Sequence, residues 1–251
     1  MKLIKHLTTY NWEGAIRGMR NPLGSHRLSD SYTHAIDGFT LGPADLELAL
    51  KLIKLGGAHR KFLRQIGISF DITANLKFFD QLSTYEHLVS NSTSQMHTLL
   101  KRPFTIDDFS NELTTNLAKQ TRLVTVNVLN HLRKMYLSKD LPHGVTKKDI
   151  WRDIVELVPQ SILYTRTITI NYEVFLAMYR WRHTHKMKEW EILCLYLRAN
   201  LPYADVFLSA LSPVINKTKA QTTSTKLIKE LVHGAVWDLS SLSYTEPCKG
   251  D

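Results

Sequence analysis

Apolar positions in this chain follow helical spacings over most of its length and switch to strict alternation in one place. Asn11–Arg20 reads as a short helix that stops before Asn21-Pro22, since the residue before a proline avoids the α region. Pro22, Gly24 and Ser25 mark a loop. Gly42-Pro43-Ala44-Asp45 opens a helix with Leu46, Leu48, Ala49, Leu50, Leu52, Ile53 and Leu55 on its apolar side, and Gly56-Gly57 closes it. From Arg64 to Ile72 the pattern alternates. Ile66, Ile68, Phe70 and Ile72 share one face, while Gln65, Gly67, Ser69 and Asp71 share the other, which predicts a half-buried strand.

Residues 73–98 keep no clean period and read as a loop flanked by short helical pieces. Thr105-Ile106-Asp107-Asp108 is expected to start a longer helix carrying Leu113, Leu117, Val124, Val128 and Leu132. Asp140–Gly144 breaks it. Thr146-Lys147-Lys148-Asp149 has capping-box spacing, with Asp in place of the usual Glu, and opens a helix ending near Pro159. Arg166–Ile170 is β-branched and short, so it fits either a strand or the start of a helix. Helical spacing resumes from Asn171 to about Ala199 through Val174, Phe175, Met178, Trp181, Ile192 and Leu195, and a short helix follows over Tyr203–Leu211. Composition shifts near Pro213. The chain therefore divides into one domain over 1–212 and an appendage over 213–251: a linker at Asn216–Ser224, an amphipathic helix at Thr225–Leu239 and a tail.

The length of 251 residues and the 43% apolar share suffice for a real core. No apolar run approaches a membrane span, and Met1–His6 lacks the features of a signal peptide. The two cysteines, Cys194 and Cys248, make neither a disulfide framework nor a metal set, and Cys194 sits in an apolar helical pattern as a reduced core residue. A cytoplasmic protein of a bacterium or a phage-infected cell is expected. The net charge of +9 favours anionic partners such as nucleotides, folates or nucleic acid. The basic residues are spread in small groups rather than gathered into an arm, so nucleic acid is allowed but not indicated. Arg17 and Arg20 share a helical face and are either solvated or able to clamp a phosphate. His183-Thr184-His185 does not make a metal site, because residues two apart on a helix diverge and no third ligand has the right spacing.

Two blocks carry more specific information. Gln81–His97 reads Q-L-S-T-Y-E-H-L-V-S-N-S-T-S-Q-M-H, and Leu157–Ile192 contains L-V-P-Q, then T-I-N, Arg182 and E-W-E-I. With the weaker Ala15-Ile16-Arg17 and Gly57-Ala58-His59 followed by Phe62, these resemble the flavin-dependent thymidylate synthases. In the first block Gln81, Asn91 and Ser94 set the register. The family's R-H-R then falls on Thr84-Tyr85-Glu86, its glutamate on Ser92 and its last arginine on Met96. In the second block the twelve-residue step from Pro159 to Asn171 is kept, with Thr169 two before Asn171 and Arg182 eleven after it. Glu173 and Val155 stand where the family has arginines. The run Trp12–Pro22 also resembles phage and gut-bacterial relatives of these synthases.

The resemblance implies an α+β fold, an antiparallel sheet packed with helices, in a homotetramer whose sites form between subunits. It implies an enzyme that modifies C5 of a pyrimidine deoxynucleotide such as dUMP. Methylene-tetrahydrofolate would donate the carbon, FAD would carry hydride and NADPH would reduce it. Arg182 would be the catalytic residue, stabilising charge on the pyrimidine, and Gln81, Ser92 and Ser94 would hold the nucleotide. His59, Arg64, Thr84, Tyr85, Asn91 and Asn171 would face the flavin, Tyr85 by stacking. The replaced R-H-R leaves a second expectation open: a nucleotide-binding or protein-interaction module that kept the fold and lost flavin chemistry.

Overall fold

The structure, a computed structural model, describes residues 3–211 apart from 36, 37 and 111. The expected linker, helix and tail over 213–251 lie outside the described residues. In chain order the elements are β1 (Leu3–Tyr10), α1 (Trp12–Arg20), β2 (Tyr32–His34), β3 (Gly38–Thr40), α2 (Pro43–Leu55), β4 (Gly67–Asn75), α3 (Leu76–Leu82), β5 (Val89–Ser92), α4 (Gln95–Thr98), α5 (Asn116–Leu137), α6 (Lys147–Leu157), β6 (Leu163–Asn171), α7 (Tyr172–Arg182), α8 (Lys188–Asn200) and α9 (Ala204–Leu211). Short 3-10 turns fill several of the joins.

The alternating segment becomes β4, a central strand of an antiparallel sheet ordered β1-β4-β6-β5. Its inner face, with Ile68, Phe70, Ile72 and Ala74, joins Ile168 and Ile170 of β6 in the core. Its outer face is polar and bonded across strands. Thr73 and Thr165 hydroxyls lie 2.7 Å apart, Thr167 donates to Asp71 at 2.6 Å and Thr169 to Ser69 at 3.4 Å. One buried face and one hydroxyl-laddered face is the arrangement that fixes register in an antiparallel sheet. Gly67 lies opposite Tyr10 in the β1–β4 ladder, and its lack of a Cβ lets the Tyr10 ring lie over the strand. The α+β expectation therefore holds. No helix among the described residues is long and apolar enough to cross a membrane.

α1 buries Trp12, Ala15, Ile16 and Met19. On the expected apolar side of α2, Ala49 and Ile53 are buried, Leu46, Leu48, Leu50 and Leu52 are partly buried against the core, and Leu55 is exposed. The Thr146–Asp149 capping box forms in both directions. Other expectations need correction. The Thr105–Asp108 segment closes a single 3-10 turn, and Phe109 is then drawn into an extended bridge with Ile162 before Thr115 caps α5. Three of the expected apolar positions of α5 point outward, Leu117, Val124 and Val128 at 75%, 61% and 43% exposed, while Leu132 packs against the core beside the buried Val126 and Leu129. Long-range polar contacts set that rotation, with Asn130 bonded to both backbone groups of Phe104 and Arg133 to the Leu100 carbonyl. Residues 89–92, read as loop, form edge strand β5 by pairing with β6. Arg166–Ile170 is strand. The helical run from Asn171 breaks at 183–187 into α7 and α8.

Arg20 is neither solvated nor free to clamp a phosphate. It is 4% exposed and its Nε donates to Asp45, itself fully buried, at 2.5 Å. Asp45 also accepts from Ser29 and Ser31 hydroxyls and from the Asp30 and Ser31 amides. Burial alone would raise this carboxyl, but the bonds from Ser31, Ser29 and Arg20 outweigh it and hold it below its ordinary value.

Candidate functional site

Asn75 ends β4 and caps α3 by accepting from the Phe78 amide at 2.9 Å. Its amide nitrogen donates to the buried Glu189 carboxylate at 2.6 Å, tying the first turn of α8 to the start of α3. This tie brings Trp190 under the last turn of α3. There the Gln81 carbonyl oxygen accepts from the indole N–H at 2.8 Å, and its amide nitrogen lies 3.3 Å from the Met187 sulfur. Arg182, the last residue of α7, extends over this platform. Its guanidinium carbon lies 4.9 Å from the Trp190 ring centroid, and its Nε donates to the Tyr85 hydroxyl at 3.1 Å. The structure thus joins Gln81, Tyr85 and Arg182, and does so through Trp190.

The charge in this cluster is unbalanced. Among the described residues Arg182 has no carboxylate partner, and its two terminal nitrogens make no hydrogen bond. A half-buried guanidinium held at Nε by a phenol and from below by an indole keeps a directed pair of donors for an incoming acceptor. Cys194 lies close enough to feel this charge but is 2% exposed, and burial pushes its thiol up to about 12. It is a core residue, as expected, and not a nucleophile.

A second group collects at the other end of α7, about 16 Å away along the helix axis. Asn171 caps α7 by accepting from the Val174 amide at 3.0 Å, so its carbonyl oxygen is already used. Arg60 pairs with Glu173 at 2.8 Å, which ties the His59–Arg64 segment to the first turn of α7. His59 and Arg64 themselves are exposed. Asn91, Ser92 and Ser94 form a third, exposed group on β5 and at the start of α4. In the ladder with β6, Asn91 lies opposite Thr167 and Ser92 opposite Arg166. The Thr84 hydroxyl turns back to the Gln81 carbonyl at 2.7 Å, and Glu86 is exposed. One chain therefore unites part of the expected set and leaves the rest in separate patches.

His183 stacks on Tyr179 with its Nδ1 2.7 Å from that residue's carbonyl, and His185 accepts from the Met187 amide at 3.1 Å. Both rings brace the α7–α8 turn. No group that could hold a metal occurs among the described residues. A groove of about 570 Å³ lies elsewhere, between the end of β1, α1 and the β2–β3 hairpin, lined by Arg17 but by none of the other expected site residues. In the sequence Trp190 stands only within the E-W-E-I block, and a large aromatic between two glutamates at the start of a helix is the signal that marks it.

No protein-family model matches the chain, and no curated protein is similar to it in sequence. Solved structures are similar in fold. Thymidylate Synthase X from Helicobacter pylori with FAD and dUMP aligns with TM-score 0.60 and 20% identity, over 84% of this chain and 98% of that one. A second structure of that flavin-dependent synthase with the same ligands gives 0.60 and 21%, over 84% and 99%. A UMP/dUMP methylase, PolB, from Streptomyces cacaoi bound with 5-Br dUMP gives 0.55 and 11%, over 83% and 93%. The fold of this chain is that of the flavin-dependent thymidylate synthases.

Proposed function

We propose that this chain binds a pyrimidine deoxynucleotide of the dUMP type and modifies it at C5, with Arg182 against the pyrimidine ring. The observation that carries this reading is the Arg182 guanidinium, oriented by Tyr85 and Trp190 and left without a carboxylate partner among the described residues. Its free donors suit a pyrimidine carbonyl whose negative charge grows as C5 becomes nucleophilic. The Trp190 platform excludes water beneath the guanidinium, which strengthens that interaction. A pyrimidine nucleotide is also the ligand common to the three similar structures.

For FAD the donor chemistry fits at one place and not at another. Thr84, Tyr85 and Glu86 supply no cation to a flavin phosphate, and the Arg60 charge is balanced by Glu173. His59 and Arg64 stand exposed near the N-terminal end of α7, where the helix dipole also favours an anion. These two, with the edge of Asn171, would hold the cofactor, and Tyr85 offers a ring for stacking. When bound, FAD supplies hydride chemistry, with methylene-tetrahydrofolate and NADPH as co-substrates. The chain's own part is to position: Gln81 fixes Trp190, Trp190 and Tyr85 fix Arg182, and Ser92 and Ser94 reach the nucleotide from the edge strand. The separation of the His59–Arg64 group from Arg182, at opposite ends of α7, supports a cofactor site completed between copies. The altered R-H-R positions favour a second reading, a nucleotide-binding module without flavin chemistry.

The test is to incubate the protein with dUMP deuterated at C5, FAD, NADPH and methylene-tetrahydrofolate, and to follow the nucleotide by mass spectrometry. Loss of deuterium with gain of a one-carbon unit is the expected outcome. Saturable binding with no loss of deuterium would select the binding module.

The outward apolar side of α5 supports a multimer, since exposed apolar patches mark contact surfaces. Val124→Asp is expected to lower the mass measured by light scattering from that of a homotetramer, with the far-ultraviolet dichroism unchanged. A wild-type chain that elutes as a monomer would remove this part of the reading.

A further inference from the structure

Two polar atoms on one face of β6 are shut off from solvent without a hydrogen-bond partner: the Arg166 Nε and the Tyr164 hydroxyl. Buried polar groups are otherwise almost always satisfied, so a neighbouring pair of exceptions asks for an explanation. Arg166 lies with its guanidinium carbon 4.2 Å from the Phe79 ring centroid on α3 and makes no ion pair among the described residues. Tyr164 is 7% exposed, two residues away and on the same face. Directly across the ladder from Arg166 is Ser92, exposed on the edge strand. Beside Tyr164 opens a cavity of about 250 Å³, lined by Thr93, Gln95, Thr98, Thr165 and Arg102. The Arg102 charge is already matched by Asp108.

We infer that Arg166, with Tyr164 and Ser92, forms an anion subsite that takes the phosphate of the nucleotide whose ring lies at Arg182. The inference rests on the nucleotide reading above. Four observations support it. First, the cation is partly desolvated and makes no ion pair among the described residues; burial pulls its pKa down more than the nearby Asp80 carboxylate holds it up, so an anion that pairs with it recovers lost solvation. Second, burial raises the Tyr164 hydroxyl to about 12, which keeps it a neutral donor beside the guanidinium. Third, a run of rings joins the two cations: Phe79 under Arg166 lies 5.6 Å from Phe78, Phe78 lies 4.8 Å from Trp190, and Trp190 lies under Arg182. Fourth, Arg166 offers a planar fork from β6, directly opposite the exposed Ser92 of the edge strand.

The experiment compares dUMP with 2′-deoxyuridine, which lacks the phosphate, by isothermal titration of the wild type, Arg166→Gln and Arg166→Lys. Arg166→Gln is expected to weaken dUMP by about 10- to 100-fold, towards the affinity of deoxyuridine, because a charge-assisted bond is lost. Deoxyuridine affinity should not change, which also shows that the site is folded. Arg166→Lys should recover part of the loss. If Arg166→Gln fails to fold, Ser92→Ala on the exposed edge carries the test, with dUMP weakened several-fold and deoxyuridine unaffected. Equal dUMP affinity in wild type and variants overturns the subsite and leaves the Arg182 reading standing. So does a wild type that binds dUMP no more tightly than deoxyuridine. A wild type that binds neither compound overturns the Arg182 reading and the subsite together.

Discussion

Arg182→Ala should lower the affinity for dUMP by about 100-fold or more, while leaving the protein folded. The magnitude follows from what is removed. Two charge-assisted donors to a pyrimidine carbonyl contribute about 1.5–3 kcal/mol each in a water-poor site. Arg182 is half-buried and uses only its Nε within the chain, so truncation costs one bond to Tyr85 and the contact with Trp190, about 1 kcal/mol of stability. Calorimetric titration of dUMP alongside a thermal melt separates the two effects. Arg182→Lys keeps the charge but not the fork, and should recover only a small part of the affinity. Tyr85→Phe removes the acceptor that orients Nε and should weaken binding by up to about 10-fold. Wild-type affinity in Arg182→Ala would reject the assignment of the site.

Asp45→Ala should give a large loss of stability, about 3–5 kcal/mol, since removing one partner of a buried ion pair leaves the other charge uncompensated. Here Arg20 is 4% exposed and would face the gap, and the Ser29 and Ser31 hydroxyls would lose their shared acceptor. The same network sets a pH dependence. The folded Asp45 carboxyl lies below its ordinary value, so it protonates less readily in the folded state than in the unfolded one. Its contribution is therefore fully present above about pH 4 and is lost as pH falls through the lower folded value. Urea unfolding should show wild-type stability falling below about pH 4, with a shallower fall in Asp45→Asn. An Asp45→Asn protein as stable as wild type at neutral pH would show that the pair is not what holds α1 to α2.

What could be read from the sequence was whatever local periodicity and capping chemistry determine. The alternation at Ile66–Ile72 made β4, displaced by the 3-10 turn over Lys61–Gln65, and the Gly-Pro and Gly-Gly boundaries made α2. The Thr146–Asp149 box marked α6 correctly. What failed depends on partners far along the chain. β5 has no periodicity of its own and exists through its ladder with β6, more than seventy residues on. The rotation of α5 follows from Asn130 and Arg133 holding the segment around Phe104, which no apolar pattern encodes. Arg20 read as surface charge because its partner Asp45 lies on a different helix. At the candidate site, resemblance supplied Gln81, Tyr85 and Arg182. The indole that connects them lies eight residues beyond Arg182, and its place became visible only through the bonds to Gln81. Arg166 opens a β-branched stretch that marks a strand and nothing more, since burial without a partner is a property of the folded chain.

The first measurement to make is a titration of dUMP into the wild-type protein with FAD present, followed by tryptophan fluorescence, since Trp190 lies directly beneath Arg182. Saturable quenching at one site per chain, lost in Arg182→Ala, is the expected result. Unchanged fluorescence and no heat of binding up to millimolar dUMP would contradict a pyrimidine nucleotide site at Arg182.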